Sequence, residues 1–151
     1  MASIFAEREV LIMLDDNCIF CKIANGEIPA RTIYEDDLFR VILDLSPATK
    51  GHALILPKEH FKDLYDLGQE QATAIMLVAQ KVGRHMKEVL GMEGLNLVQN
   101  NGELAGQTIF HFHLHMIPRY EEDGNQDKLA WNHMDITAEE LDELVHQLEI
   151  K

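Results

Sequence analysis

The sequence at positions 107–119 reads Gln107-Thr108-Ile109-Phe110-His111-Phe112-His113-Leu114-His115-Met116-Ile117-Pro118-Arg119. Three histidines stand two residues apart, and apolar residues fill the positions between them. Side chains alternate between the two faces of a β-strand, whereas on a helix these three would be scattered around the axis. The pattern therefore predicts a strand that carries the three imidazoles on one face. Such a face indicates either metal binding or chemistry on an anion, and an incidental histidine cluster is the alternative.

The remaining sequence predicts an α+β domain. Apolar runs at residues 31–35, 38–44, 52–56 and 95–99 predict four more strands, the first two joined by a hairpin at Asp36-Asp37. From Gln69 to Leu90 apolar residues recur at spacings of three and four, which predicts one long amphipathic helix. Thr137 to Glu140 has the form of a capping box and predicts a C-terminal helix to about residue 149. Short helical turns are expected at residues 18–24 and 63–67.

The element order β-β-β-α-β-β-α, with mostly hairpin-length connections, indicates a single domain with an antiparallel five-stranded sheet. We assign residues 13–151 to this domain and residues 1–12 to an N-terminal extension. A chain of 151 residues is long enough for one domain with a sizeable core.

The amino-acid composition argues against some classes of binding partner. Thirteen Lys and Arg residues against 26 Asp and Glu residues give a net charge of −13. This balance argues against nucleic-acid or anionic-membrane partners, although a small phosphorylated ligand in a local pocket remains compatible with it. No apolar run approaches the ~20 residues of a membrane span. The first residues do not resemble an export signal, so the expected location is cytoplasmic.

The two cysteines form the motif Cys18-Ile19-Phe20-Cys21. In the absence of an export signal a structural disulfide is not expected. The residues alone leave three interpretations open: a redox-active pair, half of a zinc site, or two buried thiols.

Taken together, the motifs resemble one known family. Residues 111–117 resemble the His-φ-His-φ-His-φ-φ signature of the histidine triad (HIT) superfamily of nucleotidyl hydrolases and transferases, where φ is an apolar residue. Further similar stretches run in the family's order from residue 17 to 133, among them residues 18–23, 27–29, 34–37, 44–47, 51–60, 100–108 and Trp131-Asn132-His133. The most similar branch is the bacterial histidine triad nucleotide-binding proteins. The resemblance implies a HIT-like fold and a homodimer with two sheets joined edge to edge.

The resemblance also implies roles for individual residues. His113 is the expected nucleophile toward the α-phosphate of a nucleotide, and His115 is expected to contact phosphate oxygens. His52 matches a histidine near the phosphate, where a catalytic assistant and a hydrogen-bonded buried histidine are both reasonable. Asp44 matches the residue that binds the ribose hydroxyls. The implied phosphate and leaving-group contacts are Asn100, Gln107 and Thr108, and the implied base pocket, with ordinary core packing as the alternative, is Ile19, Phe20, Ile23, Ile42 and Leu45.

In bacterial relatives a structural zinc ion is bound by positions that correspond here to Cys18, Cys21, His60 and His111. The resemblance therefore implies a closed Cys₂His₂ site that leaves His113 free, and no organic cofactor. An empty thiol pair and a redox pair remain the alternatives.

The implied activity is hydrolysis of purine nucleoside 5′-phosphoramidates and related nucleotidyl conjugates through a nucleotidyl-histidine intermediate. Dinucleoside polyphosphate hydrolysis is the alternative within the same fold. A non-catalytic nucleotide sensor or scaffold is the alternative from another class of protein, and a redox or metal-handling protein is a more distant one.

Overall fold

The structure is a computed structural model that describes residues 13–124, 129 and 133–150. Residues 1–12, the predicted N-terminal extension, and Trp131-Asn132 lie outside the described residues. The helices and strands, in chain order, are α1 (Ile19–Ala24), β1 (Thr32–Glu35), β2 (Phe39–Leu43), β3 (Ala53–Pro57), α2 (Gln69–Leu90), β4 (Gly94–Val98), β5 (Leu114–Arg119) and α3 (Ala138–Leu148). Short 3₁₀ turns cover Glu103–Ala105 and Glu121–Asp123.

The five strands form one antiparallel sheet in the order β1-β2-β3-β5-β4. The predicted α+β fold, with a five-stranded antiparallel sheet, one long helix and one C-terminal helix, is confirmed. Asp36 forms the first hairpin turn, because its Oδ1 accepts the backbone N–H groups of Leu38 and Phe39 at 2.9 and 2.8 Å. The segment predicted as a helical turn at residues 63–67 is a non-helical turn.

The two faces of the sheet pack against different helices. On one face, Val41, Ile55 and Met116 pack against the apolar stripe of α2, which includes Ile75 and Val82. The opposite face belongs to a second cluster, in which α1 covers the sheet; its buried members are Cys18, Phe20, Cys21, Ala24, Ile42, Leu54 and Leu56. The central strand β3 is buried along its whole length.

The histidine face lies on the α1 side of the sheet. Leu54 of β3 is directly opposite His115 of β5, and paired residues of neighbouring strands project from the same face. Leu114 and Met116 belong to the core on the α2 side. Alternation along the chain therefore separates the imidazoles from the main core, as the sequence predicts.

The predicted extent of the histidine strand is wrong at its N-terminal end. β5 begins at Leu114, so His111 and His113 lie in the extended segment just before it. Pairing of β5 with β3 stops at Leu114 and Ile55, and Pro57, two residues farther along β3, has no N–H to continue the ladder. The alternation nevertheless continues to His111, because the Phe112 N–H donates to the Phe61 carbonyl and its ring packs into the α2-side core.

The C-terminal helix begins with the predicted capping box. The Glu140 N–H donates to Oγ1 of Thr137 at 3.2 Å, and the Thr137 N–H donates to the Glu140 carboxylate at 2.8 Å. Every described residue of α3 is exposed. No helix among the described residues combines the length and apolar composition that crossing a membrane requires.

Candidate active site and metal cluster

The central histidine of the triad is buried beneath α1. His113 is 7% exposed, and its ring packs in a T-shaped pair with the ring of Phe20 at a centroid distance of 5.1 Å. Nδ1 of His113 lies 2.8 Å from the His111 carbonyl oxygen. A carbonyl can only accept a hydrogen bond, so Nδ1 carries the proton and Nε2 of the neutral ring has a free lone pair.

Burial lowers the pKa of His113, while the hydrogen bond to the His111 carbonyl and the Asp44 carboxylate act in the opposite direction. Because the net shift is downward, the imidazole is neutral at neutral pH. A neutral ring with a fixed tautomer and an unprotonated Nε2 is the form of histidine that can act as a nucleophile.

The third histidine of the triad pairs with the predicted catalytic assistant. Nδ1 of His115 lies 2.9 Å from Nε2 of His52, and the Asp44 carboxylate lies 3.7 Å from the same His52 nitrogen. On the other side of the His52 ring, the backbone N–H of Ala48 donates to Nδ1 at 3.0 Å. Burial, followed by neighbouring His113 and His52, lowers the pKa of His115 to about 4.

The first histidine of the triad faces the two cysteines. Nε2 of His111 lies 2.9 Å from the Pro57 carbonyl oxygen, so it donates its proton there and leaves the Nδ1 lone pair free. That Nδ1 is 3.4 Å from Sγ of Cys18 and 3.5 Å from Sγ of Cys21. Nδ1 of His60 lies 3.3 Å from Sγ of Cys21. All four ligand atoms lie within 4.8 Å of one another.

These distances fit a tetrahedral metal ion. Zinc bonds of 2.3 Å to sulfur and 2.0–2.1 Å to nitrogen place neighbouring sulfur and nitrogen ligands about 3.6 Å apart. Burial is the largest influence on Cys21, whose pKa is raised to about 11. Zinc binding would release the proton of this thiol, because the form of cysteine that binds a metal is the thiolate. The four residues fit zinc both in ligand type and in spacing.

The residues predicted to contact the nucleotide differ in how exposed their side chains are. Asp44 directly follows β2 and is partly exposed, and its Oδ1 accepts the Ser46 N–H at 2.8 Å. Phe20 and Ile42 are buried in the α1-side cluster, Ile23 is partly buried, and Ile19 and Leu45 are exposed. The buried members therefore have core contacts as well, and the roles of all five in base binding remain predictions.

Gln107 has a fully bonded side chain. It is 2% exposed; its Nε2 donates to the carbonyls of Lys62 and Ile109 at 2.7 and 3.1 Å, and its Oε1 accepts the Gly102 N–H at 2.9 Å. These contacts hold the loop that precedes the histidines. The predicted phosphate contact of Gln107 stays a prediction, and the same holds for exposed Thr108 and partly buried Asn100.

Three backbone groups of this site were missed by sequence reasoning. They are the His111 and Pro57 carbonyls and the Ala48 N–H, each of which bonds to a histidine ring. Every residue carries such groups, so residue identity contains no signal for them. The backbone conformation of the chain brings the His111 carbonyl and the Ala48 N–H next to the rings, and tertiary packing brings the Pro57 carbonyl there.

Comparison with known proteins identifies the family of this chain. The HIT domain model matches residues 25–122 of this chain. The chain belongs to the HIT family. This confirms the family that the motifs predicted.

Individual HIT proteins are similar to this chain over most of their length. Adenosine 5′-monophosphoramidase hnt1 of Schizosaccharomyces pombe is 36% identical over 135 residues, which are 89% of this chain and 98% of that protein. The crystal structure of a HIT family protein from Bacillus anthracis has a TM-score of 0.81 and 42% identity, covering 89% of this chain and 96% of that one. A Zn-bound histidine triad family protein from Mycobacterium smegmatis has a TM-score of 0.67 and 39% identity, covering 88% and 96%.

Proposed function

We propose that this HIT protein hydrolyses purine nucleoside 5′-phosphoramidates and related nucleotidyl conjugates. One observation carries the proposal: the 2.8 Å contact between Nδ1 of His113 and the His111 carbonyl. It fixes the proton on Nδ1 and leaves Nε2 available as a nucleophile. The similarity to an adenosine 5′-monophosphoramidase supports the substrate class.

The reaction has two steps. Nε2 of His113 first forms a bond to the α-phosphorus while the P–N bond breaks, and the departing amine takes up one proton from solvent. Water then attacks the α-phosphorus, the bond to Nε2 breaks, and one proton of the water returns to solvent. The products are the nucleoside monophosphate and the amine, and His113 is restored. Covalent catalysis of this kind replaces one difficult displacement with two easier ones.

Asp44 and the polar loop before the histidines are proposed to orient the nucleotide. The partly exposed carboxylate of Asp44 is suited to accept hydrogen bonds from ribose hydroxyls, and it lies 3.7 Å from Nε2 of His52. Asn100 and Thr108 are suited to donate to phosphate oxygens. Ile19, Ile23 and Leu45, whose side chains are exposed or partly buried, are proposed to contact the base.

We also propose that Cys18, Cys21, His60 and His111 hold a structural zinc ion. The spacing of their ligand atoms and the similarity to a Zn-bound HIT structure support this assignment. A closed four-ligand site supplies folding free energy rather than catalysis. It would tie α1 to the segment that carries His113.

A homodimer joined through the β4 edge is proposed as the assembly. β4 is an outer strand of the sheet, and Leu97 on it is 37% exposed. Beside it, α2 exposes Met76 and Leu77 along a groove of about 540 Å³. An edge strand with adjacent apolar side chains is suited to pair with its own copy.

The decisive experiment is turnover of adenosine 5′-phosphoramidate, with a diadenosine polyphosphate compared in parallel. We expect AMP release by the wild-type protein, an AMP adduct on His113 after early acid-free quenching, and loss of both in His113→Ala. His85→Ala, which changes an exposed histidine of α2, is the matched control and should retain full activity.

Absence of turnover and adduct in the wild-type protein, with AMP still bound, would reject the hydrolase and favour a nucleotide sensor. Faster turnover of the polyphosphate would reject the proposed substrate class while retaining the nucleophile.

A further inference from the structure

We infer, on the basis of the proposed hydrolysis, that the backbone N–H of Ala48 sets the tautomers of His52 and His115. As a consequence, His115 acts on the bound phosphate as a neutral hydrogen-bond donor and does not transfer a proton to the leaving group. Three contacts among described residues lead to this conclusion, and together they fix the positions of two ring protons, one on His52 and one on His115.

The first contact fixes the proton of His52. The Ala48 N–H donates to Nδ1 of His52 at 3.0 Å, and a backbone amide cannot act as an acceptor. Nδ1 must therefore offer a lone pair, which places the proton of the neutral ring on Nε2. The loop that holds Ala48 is closed at its ends, because the Asp44 N–H donates to the His52 carbonyl at 2.9 Å and the His52 N–H donates to the Thr49 carbonyl at 3.1 Å.

The surroundings of Nε2 agree with this assignment. Nε2 of His52 faces Nδ1 of His115 at 2.9 Å, which can accept its proton, and the Asp44 carboxylate lies 3.7 Å from Nε2, where its negative charge favours an N–H at that position. The contact with His115 requires one donor and one acceptor. Since His52 is the donor, Nδ1 of His115 is the acceptor, and the proton of the His115 ring is on Nε2.

The same contact opposes protonation of His115. An imidazolium would carry a proton on Nδ1 and place two N–H groups against each other across the 2.9 Å contact. Burial acts in the same direction, because it is the largest cause that lowers the pKa of His115 to about 4. The ring therefore offers a fixed N–H to an anionic oxygen without giving its proton away.

Two clusters of side chains have ligand-atom distances that resemble a metal site, and this tautomer distinguishes between them. Asp44, His52 and His115 place their ligand atoms within 4.8 Å of one another, as the four residues of the Cys₂His₂ cluster do. In the first cluster, however, Nε2 of His52 carries a proton and has no lone pair for a metal. In the second, the Pro57 carbonyl accepts the Nε2 proton of His111 and frees its Nδ1.

The direct test is long-range ¹H–¹⁵N correlation of ¹⁵N-histidine-labelled protein at neutral pH without nucleotide. We expect the Nε2–H tautomer for both His52 and His115 and the Nδ1–H tautomer for His113. An Nδ1–H tautomer of His52, or a doubly protonated His115, would overturn the inference. In Ala48→Pro, which lacks the amide proton, His52 should gain a detectable Nδ1–H population; an unchanged His52 spectrum would likewise overturn it.

Substitutions of His115 separate hydrogen-bond donation from proton transfer. Glutamine places an N–H donor near the position of Nε2 but cannot transfer its proton. We therefore expect His115→Gln to keep kcat within about tenfold of wild type and His115→Ala to lose at least about a hundredfold, the usual cost of one removed donor. Equal losses in the two variants would overturn the donor role.

Substitutions of His52 by glutamine and asparagine test whether His52 connects Ala48 to His115. Glutamine reaches the position of the Nε2–H and can donate to His115, whereas asparagine ends near the position of Nδ1 and cannot reach His115. His52→Gln should therefore be at least about tenfold more active than His52→Asn. Equal activities would contradict a role through His115.

The two levels of failure are distinguishable because the tautomer measurement requires no turnover. Wild-type protein with the expected tautomers but no hydrolysis would reject the proposed function alone. Hydrolysis with other tautomers would reject the role of Ala48 alone.

Discussion

At the residue scale, backbone groups determine which nitrogen of each histidine is protonated. The His111 carbonyl accepts from His113, the Pro57 carbonyl accepts from His111, and the Ala48 N–H donates to His52. The consequence differs from ring to ring, because a carbonyl places the proton on the nitrogen that faces it and an amide places it on the opposite nitrogen. Neighbouring imidazoles on one segment thereby present different nitrogens as donor and acceptor.

The pKa of His115 predicts acid-sensitive stability. Its value of about 4 in the folded protein is below the usual 6.5. Between these values the unfolded chain binds more protons than the folded one, so this contribution is fully present above about pH 6.5 and is lost as pH falls toward 4. In the wild-type protein, the free energy of unfolding should fall between about pH 7 and about pH 4.5. In His115→Gln this fall should be smaller by roughly 1 kcal/mol, after allowance for partial exposure of the ring.

Urea unfolding of both proteins at the two pH values measures this difference. His85→Gln, which changes an exposed histidine, is the control and should lose as much stability as wild type. Parallel losses in wild type and His115→Gln would contradict the prediction.

The sequence predicts the histidine face but not the tautomers. Alternation at positions 111, 113 and 115 is a property of the extended chain, and it holds at His111 and His113 although they precede the first residue of β5. Tautomers depend on which backbone group meets each ring, which is decided by the loop at Ala48 and by the end of β3 at Pro57. The contact between His111 and Pro57 joins residues that are distant in sequence. The other two contacts are local, but they depend on a backbone conformation that residue identity does not specify.

At the scale of elements, the loop between β4 and β5 depends on Gln107. Its amide bonds to three backbone groups in a position that is only 2% exposed. Gln107→Ala would leave those groups without partners, so we expect the free energy of unfolding to fall by about 2 to 4 kcal/mol. Thermal or urea denaturation measures the loss.

Gln147→Ala, in the exposed helix α3, is the control and should change stability by less than about 0.5 kcal/mol. A Gln107→Ala protein as stable as this control, but unable to bind AMP, would instead support the phosphate contact predicted from the sequence.

The Cys₂His₂ cluster connects α1 to the segment before β5. We expect one zinc ion per chain and, in Cys18→Ser/Cys21→Ser, loss of that ion together with a lower melting temperature. Chelation of the wild-type protein should lower the melting temperature to a similar extent, because metal binding to the folded state stabilises it. Elemental analysis and thermal denaturation provide the two measurements.

His52→Asn is the matched control for this prediction, since its ring belongs to the cluster that should hold no metal. Its zinc content should equal that of wild type. A second zinc ion that disappears in His52→Asn would contradict the assignment of both clusters.

The boundaries of elements show where sequence patterns stop being informative. The long helix α2 follows its apolar spacing from Gln69 to Leu90, and the capping box gives the start of α3. The start of β5 is set by its neighbour, because pairing ends at Leu114 with Ile55 and Pro57, two residues farther along β3, has no N–H to continue it. A strand boundary is thus a property of two segments, and only one of them is visible in a local pattern.

At the scale of the whole molecule, each chain contains a complete histidine set. His52, His113 and His115 come from the same chain, and the proposed interface at β4 lies at the outer edge of the sheet, with β5 between it and β3. The groove beside β4 is lined mainly by apolar residues, and its polar members are Gln80, Arg84, Lys87 and Glu93. Assembly through this edge is therefore expected to affect stability and solubility more than the chemistry.

Leu97→Glu tests the assembly. In a symmetric dimer the same patch contributes from both copies, so the substitution brings two carboxylates into one apolar interface. We expect wild type to be a dimer and Leu97→Glu a monomer by light scattering or sedimentation, with kcat within a few-fold of wild type. Leu104→Glu, at a fully exposed position, is the control and should remain dimeric. A monomeric wild type, or a variant that stays dimeric, would reject the β4 interface, and a monomer without activity would show that the partner is needed to complete the site.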